Sequence, residues 1–261
     1  MRSLDIGALG MMAQSTNVDV TSNNIANMTT TGYKRQRAEF QDLLYQDLRR
    51  AGSPSSDTGT IVPVGVQVGL GVKTAAIGRY TGQGSVTLTE NELDVALQGR
   101  GYFQVDLPSG ETAYTRDGTF KLDGNGQIVT KDGYAIQPGI TVPNNATSVT
   151  INGSGEVYAE IDGQVAPQNL GQIQLATFIN PAGMSALGDN LFLETDASGT
   201  PNTGTAGSVG FGTLLQGYLE SSNVNVVQEI TNLIKAQRAY EMNSKSISTT
   251  DEMMSAISNL R

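Results

Sequence analysis

The sequence predicts an α+β protein in which long N- and C-terminal helices pair as a coiled coil, with an inserted extended arm and an antiparallel β-domain between them. Three observations predict it. Apolar residues recur every seven positions at both ends of the chain, and turn-forming dipeptides punctuate the interior. The 31 glycines against 38% hydrophobic and 6% aromatic residues give the lean, turn-rich profile of many short strands, not that of a dense α/β enzyme. A chain of 261 residues has material for at least one real core.

The C-terminal stretch, residues 221–260, organises the rest. Val226, Leu233, Tyr240, Ile247 and Met254 lie seven apart, so on a helix of about 3.6 residues per turn they form one nearly straight stripe. Val227, Ile230, Ile234, Ala236, Ala239 and Ile257 widen it, while Glu229, Lys235, Arg238, Glu241, Lys245 and Glu252 keep the other faces wet. No Pro or Gly interrupts the run, which at about 1.5 Å per residue would reach on the order of 55 Å. A helix this long needs a long partner. Leu4, Met11, Val18 and Ile25 repeat the seven-residue spacing at the other end. The alternative is two ordinary surface helices packed on a core, the commoner arrangement in globular proteins; the length of the C-terminal run argues against it. The candidate assembly interface is therefore Leu4, Met11, Val18, Ile25, Val226, Ile230, Leu233, Tyr240, Ile247 and Met254.

Residues 3–27 read as the first helix, capped by Ser3 or Asp5 and weakened at Gly7 and Gly10. Gln14, Ser15, Thr16, Asn17, Thr21, Ser22, Asn23, Asn24 and Asn27 leave it only a narrow dry seam. One seam does not offset the entropy of ordering such a helix, so it should fold only when covered. Asparagines and threonines then end the helix, Gly32 permits a turn, and Tyr33 can anchor the emerging chain.

Residues 40–50 are expected as a short helix on Leu43, Leu44 and Leu48, and residues 51–63 as a polar, flexible arm. Residues 64–72 alternate with period two and predict a strand. Gly69 and Gly71 do not make a phosphate loop, because Thr74 stands where a third glycine belongs and no Gly-Lys-Ser/Thr follows. From about residue 77 to 219, Asp117-Gly118, Asp123-Gly124, Asp132-Gly133, Asp162-Gly163 and Asn152-Gly153 favour the primed turns that join antiparallel strands. Segments 102–105, 120–122, 127–129 and 173–178 are the strands such turns could join. The expected organisation is residues 1–32 with 221–261 as the helical domain, 33–76 as short helix, arm and connecting strand, and 77–220 as the β-domain.

Composition excludes much chemistry. The formal charge is −9, concentrated in the acidic interior, which makes a poor nucleic-acid surface. The chain has neither cysteine nor histidine. That removes disulfides, thiolate zinc sites, the usual general base and most nucleophilic triads. The turn at Asp123-Gly124-Asn125-Gly126-Gln127 fails as a calcium loop, since Ile128 and Tyr134 occupy the positions that need Gly and a bidentate Glu. Glu90 with Glu92, and Glu156 with Glu160, lack the aromatic groove of a glycosidase and read as exposed strand charges. No catalytic, metal or cofactor-binding residue is assigned. No segment has the apolar length of a membrane span or a secretory leader.

Residues 22–44, SNNIANMTTTGYKRQRAEFQDLL, resemble the N-terminal signature of bacterial flagellar axial proteins, the rod and hook subunits. Residues 221–254, SSNVNVVQEITNLIKAQRAYEMNSKSISTTDEMM, resemble their C-terminal signature, and 93–103 and 114–118 resemble their middle domain, so the likeness spans essentially the whole chain. On this resemblance Asn23, Asn24, Ala26, Asn27, Thr31, Gly32, Tyr33 and Lys34 are family-motif residues. The resemblance implies a structural, non-enzymatic subunit that polymerises into a rigid hollow shaft crossing the periplasm. Implied partners are copies of itself, proximal rod proteins, the hook protein, the ring proteins around the rod and the flagellar export apparatus, with no nucleic acid, no membrane insertion and no cofactor. Export without a cleaved signal peptide is also implied, as is an arm that reaches neighbouring subunits. The polar arm and the single β-domain favour a rod subunit over a hook subunit. A cell-wall hydrolase and a secreted adhesin are the readings outside the family.

Overall fold

The computed structural model describes residues 2–52, 63–164 and 166–259. The chain divides into two compact units. One holds Met1–Ile25, Gln36–Gly78 and Val226–Arg261; the other holds Ala26–Arg35 and Arg79–Asn225.

The first unit contains helix α1 (Arg2–Ala26), strands β1 (Gln36–Asp42), β2 (Tyr45–Arg49), β3 (Val66–Gly69) and β4 (Val72–Arg79), and helix α2 (Val226–Asn259). β1 pairs with β4, and β2 pairs antiparallel with β3, Tyr45 opposite Gly69 and Asp47 opposite Gln67. The two helices contact each other antiparallel: Gly7 lies on Ile247, Gly10 on Asn243, and Asn24 bonds Glu229. The 34 residues of α2 extend about 50 Å.

Two expectations fail here. Residues 40–50 are not a short helix but the end of β1 and β2. Their leucines find no apolar face to cover, since Leu44 is 83% and Leu48 55% exposed. Strands β3 and β4, from farther along the chain, take the backbone donors and acceptors instead, including the Leu43 N–H that donates to Gly71 O at 2.9 Å. The strand expected over 64–72 breaks at Gly71, whose φ of +124° turns the chain from β3 into β4. Most of the expected arm, 53–62, lies outside the described residues.

The second unit is all antiparallel. In chain order it contains β5 (Val86–Leu88), β6 (Val95–Gln98), β7 (Tyr102–Asp106), β8 (Thr112–Thr115), β9 (Phe120–Leu122), β10 (Ile128–Thr130), β11 (Ala135–Ile136) and β12 (Ala146–Ile151). It continues with β13 (Glu156–Ile161), β14 (Gln168–Gln172), β15 (Gln174–Thr177), β16 (Ser185–Gly188), β17 (Leu191–Leu193), β18 (Asn202–Thr205), β19 (Thr213–Gln216) and β20 (Tyr218–Glu220). The main sheet runs β16-β17-β8-β7-β11-β10-β9, with β15 joining β7 to β18. β12-β13-β14 form a second sheet, and β6 with β19 and β5 with β20 form two pairs.

The turn dipeptides fall where hairpin chemistry puts them, with one exception. Asp123-Gly124 links β9 to β10, Asp132-Gly133 links β10 to β11, Asn152-Gly153 links β12 to β13, and Asp162-Gly163 follows β13. Asp117-Gly118 joins β8 to β9, which do not pair, and is a buried crossing instead of a hairpin turn. Gly118 O accepts from Val95 N at 3.0 Å, and a Cβ on Gly118 would overlap the Val95 carbonyl. Glycine is there for backbone approach, a need that no local pattern reveals.

Strand β7 separates two clusters. Phe103 and Val105 enter the larger one with Val95, Leu97, Phe120, Ile128, Val157, Ile173, Leu175 and Leu214; Phe103 meets Phe120 edge to face at 5.0 Å. Burying each such side chain stabilises the fold by about 1.5–3 kcal/mol. Tyr102 enters the smaller one with Tyr114, Ala176, Phe178 and Met184. No helix among the described residues is long and apolar enough to cross a membrane.

The C-terminal helix begins at Val226, five residues later than the sequence suggests. Glu220 ends β20, and the Asn223 side chain is held by Arg35 N, Tyr80 O and Gly82 O at 2.7, 3.0 and 2.8 Å, which commits residues 221–225 to a loop.

Candidate functional site

Two groups of residues bear on function, one in each unit. In the helix pair, Leu4, Met11, Val18, Ile25, Val226, Leu233, Ile247 and Met254 are half-buried, whereas Ile230 and Tyr240 are exposed. The deepest line on α2 is a different one. Glu229, Ala236 and Thr250 are buried and Asn243 half-buried, again seven apart but offset by three from Val226. On α1 the buried residues are Gly7, Ala13, Val20, Thr21 and Asn24.

These small and polar residues let the backbones approach. A Cβ on Gly7 would lie 2.8 Å from Ile247 Cγ1, and one on Gly10 would lie 2.7 Å from the Asn243 amide nitrogen. The glycines that weaken α1 as an isolated helix are thus the places where α2 packs on it. The opposite side of α1 meets β4: Leu9, Met12, Ala13 and Thr16 line one cleft with Val72, Lys73 and Thr74.

Asn24, 1% exposed, locks the end of this pair. Its amide nitrogen donates to Gln36 O at 2.8 Å and to Glu229 Oε2 at 3.1 Å, and its oxygen accepts from Gln36 N at 2.9 Å. Asn24→Ala strips the half-buried Gln36 backbone N–H and C=O of their shared partner and is expected to cost about 1–3 kcal/mol. Amide hydrogen exchange of α1 checks it: protection at residues 20–24 should fall, and unchanged protection would remove Asn24 from this role. Asn23 is exposed, and half-buried Asn27 accepts from Thr30 Oγ1 at 3.1 Å.

In the second unit, the motif Thr31-Gly32-Tyr33-Lys34-Arg35 is stitched to β20 and the segment after it. Gly32 N donates to Glu220 O at 2.8 Å, Asn190 Nδ2 donates to Thr31 O at 3.2 Å, and Arg35 O accepts from Tyr80 N at 2.8 Å. Gly32 has φ +66° and sits against the Arg116 backbone, which a Cβ would meet at 2.9 Å. Only glycine satisfies both demands without strain.

Lys34 then enters a buried ionic triad. Its Nζ donates to Glu220 Oε1 at 2.6 Å and to Gly82 O at 2.9 Å. Arg116 Nε donates to Glu220 Oε2 at 2.7 Å; its Nη1 reaches Gly101 O at 2.6 Å, and its Nη2 reaches Gly99 O at 2.7 Å and Leu97 O at 3.3 Å. The Gly84 N–H completes Glu220 at 2.9 Å. Burial pushes the Glu220 carboxyl up, but Arg116 and then Lys34 outweigh it and hold it below its ordinary value of 4.5. For Lys34 burial is the largest influence and pulls the ammonium down; Glu220 offsets only part of this, and Arg116 adds to the lowering.

Sequence reasoning does not single out Glu220 and expects Glu229 on a wet face, whereas both are buried, because each looks like one more acidic residue until its partner arrives from 186 or 205 residues away. Gly7 and Gly10 look like weaknesses for the same reason, since the Ile247 and Asn243 that pack on them lie at the other end of the chain. The one local signal is Arg116, a cation in the acidic interior.

Three family descriptions match the chain. "Flagella basal body rod protein" covers residues 4–34, "Flagellar hook protein FlgE/F/G D1 domain" covers 96–159, and "Flagellar basal body rod FlgEFG protein C-terminal" covers 215–260. The chain is 62% identical to the flagellar basal-body rod protein FlgG of Caulobacter vibrioides over 100% of both chains. It is 50% identical to the protein of that name from Agrobacterium fabrum over 99% of this chain and 98% of that one. Against its counterpart in Bacillus subtilis the identity is 38% over 100% and 99%.

Proposed function

The chain belongs to the flagellar basal-body rod protein family, and from that membership we propose how its parts serve the polymer. It is a structural subunit of the flagellar distal rod, located in the basal body, and it assembles with other rod and hook components. Its relatives are named as flagellar basal-body rod proteins, and we read the chain likewise as a structural part and not an enzyme. Nothing favours the hydrolase reading.

The terminal helices form a coiled coil that lines the inner wall of a hollow helical tube, and the β-unit forms its outer shell. Heterologous contacts repeated by a rotation that does not close generate such a tube. Leu4, Met11, Val18, Ile25, Val226, Ile230, Leu233, Tyr240, Ile247 and Met254 supply its dry seams. The subunit meets copies of itself, proximal rod proteins on one side, the hook protein on the other and ring proteins around it, and the flagellar export apparatus delivers the chain. Torque from motor to hook then passes through packed side chains.

The observation that carries this reading is the apolar surplus of α2. Val227, Ile230, Ile234, Tyr240, Met242, Met253 and Ile257 are all exposed on that one helix. The 25 residues of α1 are too few to cover the 34 of α2. An apolar surface of this extent marks an interaction site. Deleting residues 3–27 tests the reading. Polymerisation and motility should be lost while the β-unit keeps its circular dichroism spectrum; a truncated chain that still builds rods would refute the role given to the helices.

A further inference from the structure

Around Tyr102 the second unit gathers cations and leaves them short of acid. A cleft of about 280 Å³ is lined by Lys34, Arg100 and Arg116, with Tyr102 and Phe178 supplying aromatic surface, and no carboxylate lines it among the described residues. Arg79 lies close by, its guanidinium 4.4 Å from the centre of the Phe192 ring that packs on Tyr102, and its Nη1 is buried without a hydrogen-bond partner. Among the described residues Glu220 is the single carboxylate paired with Lys34 and Arg116, so the triad keeps an uncompensated positive charge.

Donors are left over as well. Lys34 uses two of its three N–H groups and Arg116 four of its five. Arg100 is exposed, and its side chain has no hydrogen bond or ion pair among the described residues.

The rest of the unit has the opposite balance. Between Lys131 and Lys235 the sequence holds no Lys or Arg. Glu160, near the end of β13, and Asp162, in the turn that follows, are exposed with no side-chain partner among the described residues. In a chain that carries −9 overall, spare positive charge thus gathers at one cleft, and Glu160 and Asp162 hold unneutralised negative charge at an exposed turn.

We propose that the cleft is a contact site for a second copy of this chain and receives its acidic turn at Glu160 and Asp162. The inference rests on the polymeric reading above. A non-closing assembly repeats one contact between two different patches, so a cationic cleft and an acidic turn on the same chain are suited to meet on neighbouring copies. The incoming carboxylates would accept charge-assisted hydrogen bonds from Arg100 and from the spare N–H groups of Lys34 and Arg116. Because Arg100 stands at the rim, the contact should weaken with salt.

The test is charge reversal in the full chain, with polymer measured by sedimentation and electron microscopy. Arg100→Glu, and separately Glu160→Lys with Asp162→Lys, should raise the critical concentration about tenfold or more. Combining all three changes should bring it back toward wild type. The affected side chains are exposed, so circular dichroism and the unfolding midpoint should stay unchanged and keep folding defects apart. Normal polymer from Arg100→Glu, or a combination no better than its parts with every variant folded, would overturn the contact. A wild-type chain that forms no polymer would remove both the contact and the reading beneath it.

Discussion

Glu220→Gln is expected to lower the stability of the β-unit by about 3–5 kcal/mol, the cost of breaking a buried ion pair and leaving its charges uncompensated. The substitution keeps the shape of the side chain but removes the only carboxylate among the described residues that pairs with Lys34 and Arg116, both buried. Lys34→Met should cost less, because Arg116 still pairs with Glu220 and a lysine already disfavoured by burial is removed. Denaturant unfolding followed by β-sheet circular dichroism measures both. A loss below about 1 kcal/mol for Glu220→Gln would show the triad to be incidental.

The same triad sets an acid limit. The folded-state pKa of Glu220 is depressed, so its contribution is complete above the unfolded value near 4.5 and is lost as pH falls through the lower folded value. Wild-type stability should fall in that window, and Glu220→Gln should flatten this part of the profile.

The second large effect concerns assembly. Leu233→Asp and Ile247→Asp each place a carboxylate at a half-buried position of α2, Ile247 directly against Gly7. Within the seam of a polymer such a charge is unpaired and should cost several kcal/mol of association, about 3–5 by analogy with other unpaired buried charges. The critical concentration for polymer should rise beyond the accessible range, while the β-unit, which contains neither residue, keeps its unfolding midpoint. Assembly at wild-type concentration by both variants would count decisively against helices as the inner wall.

Much of the architecture was legible because its causes are local. The seven-residue spacing from Val226 to Met254 announces a long helix, and α2 runs from Val226 to Asn259 without a break. Asn152-Gly153 and Asp132-Gly133 announce hairpins because few other dipeptides tolerate their backbone geometry. The misreadings are equally specific. Leu43, Leu44 and Leu48 have helical spacing, yet β3 and β4 claim the backbone around them. Asp117-Gly118 has hairpin chemistry, yet Val95 claims the carbonyl of Gly118.

By itself the sequence determined the two terminal helices, the antiparallel character of the interior, the lack of cysteine and histidine chemistry and the family signatures at both ends. Each of these depends on residues within a few turns of one another or on composition alone. Only the tertiary structure decided that Glu229, Ala236 and Thr250 lie deeper than the apolar stripe beside them, and that Gly7 and Gly10 make room for α2. It alone joined Lys34 to Glu220 and Arg116. Burial of a polar group is tolerated or not according to the partner it finds, and here those partners are brought in by folding from far along the chain.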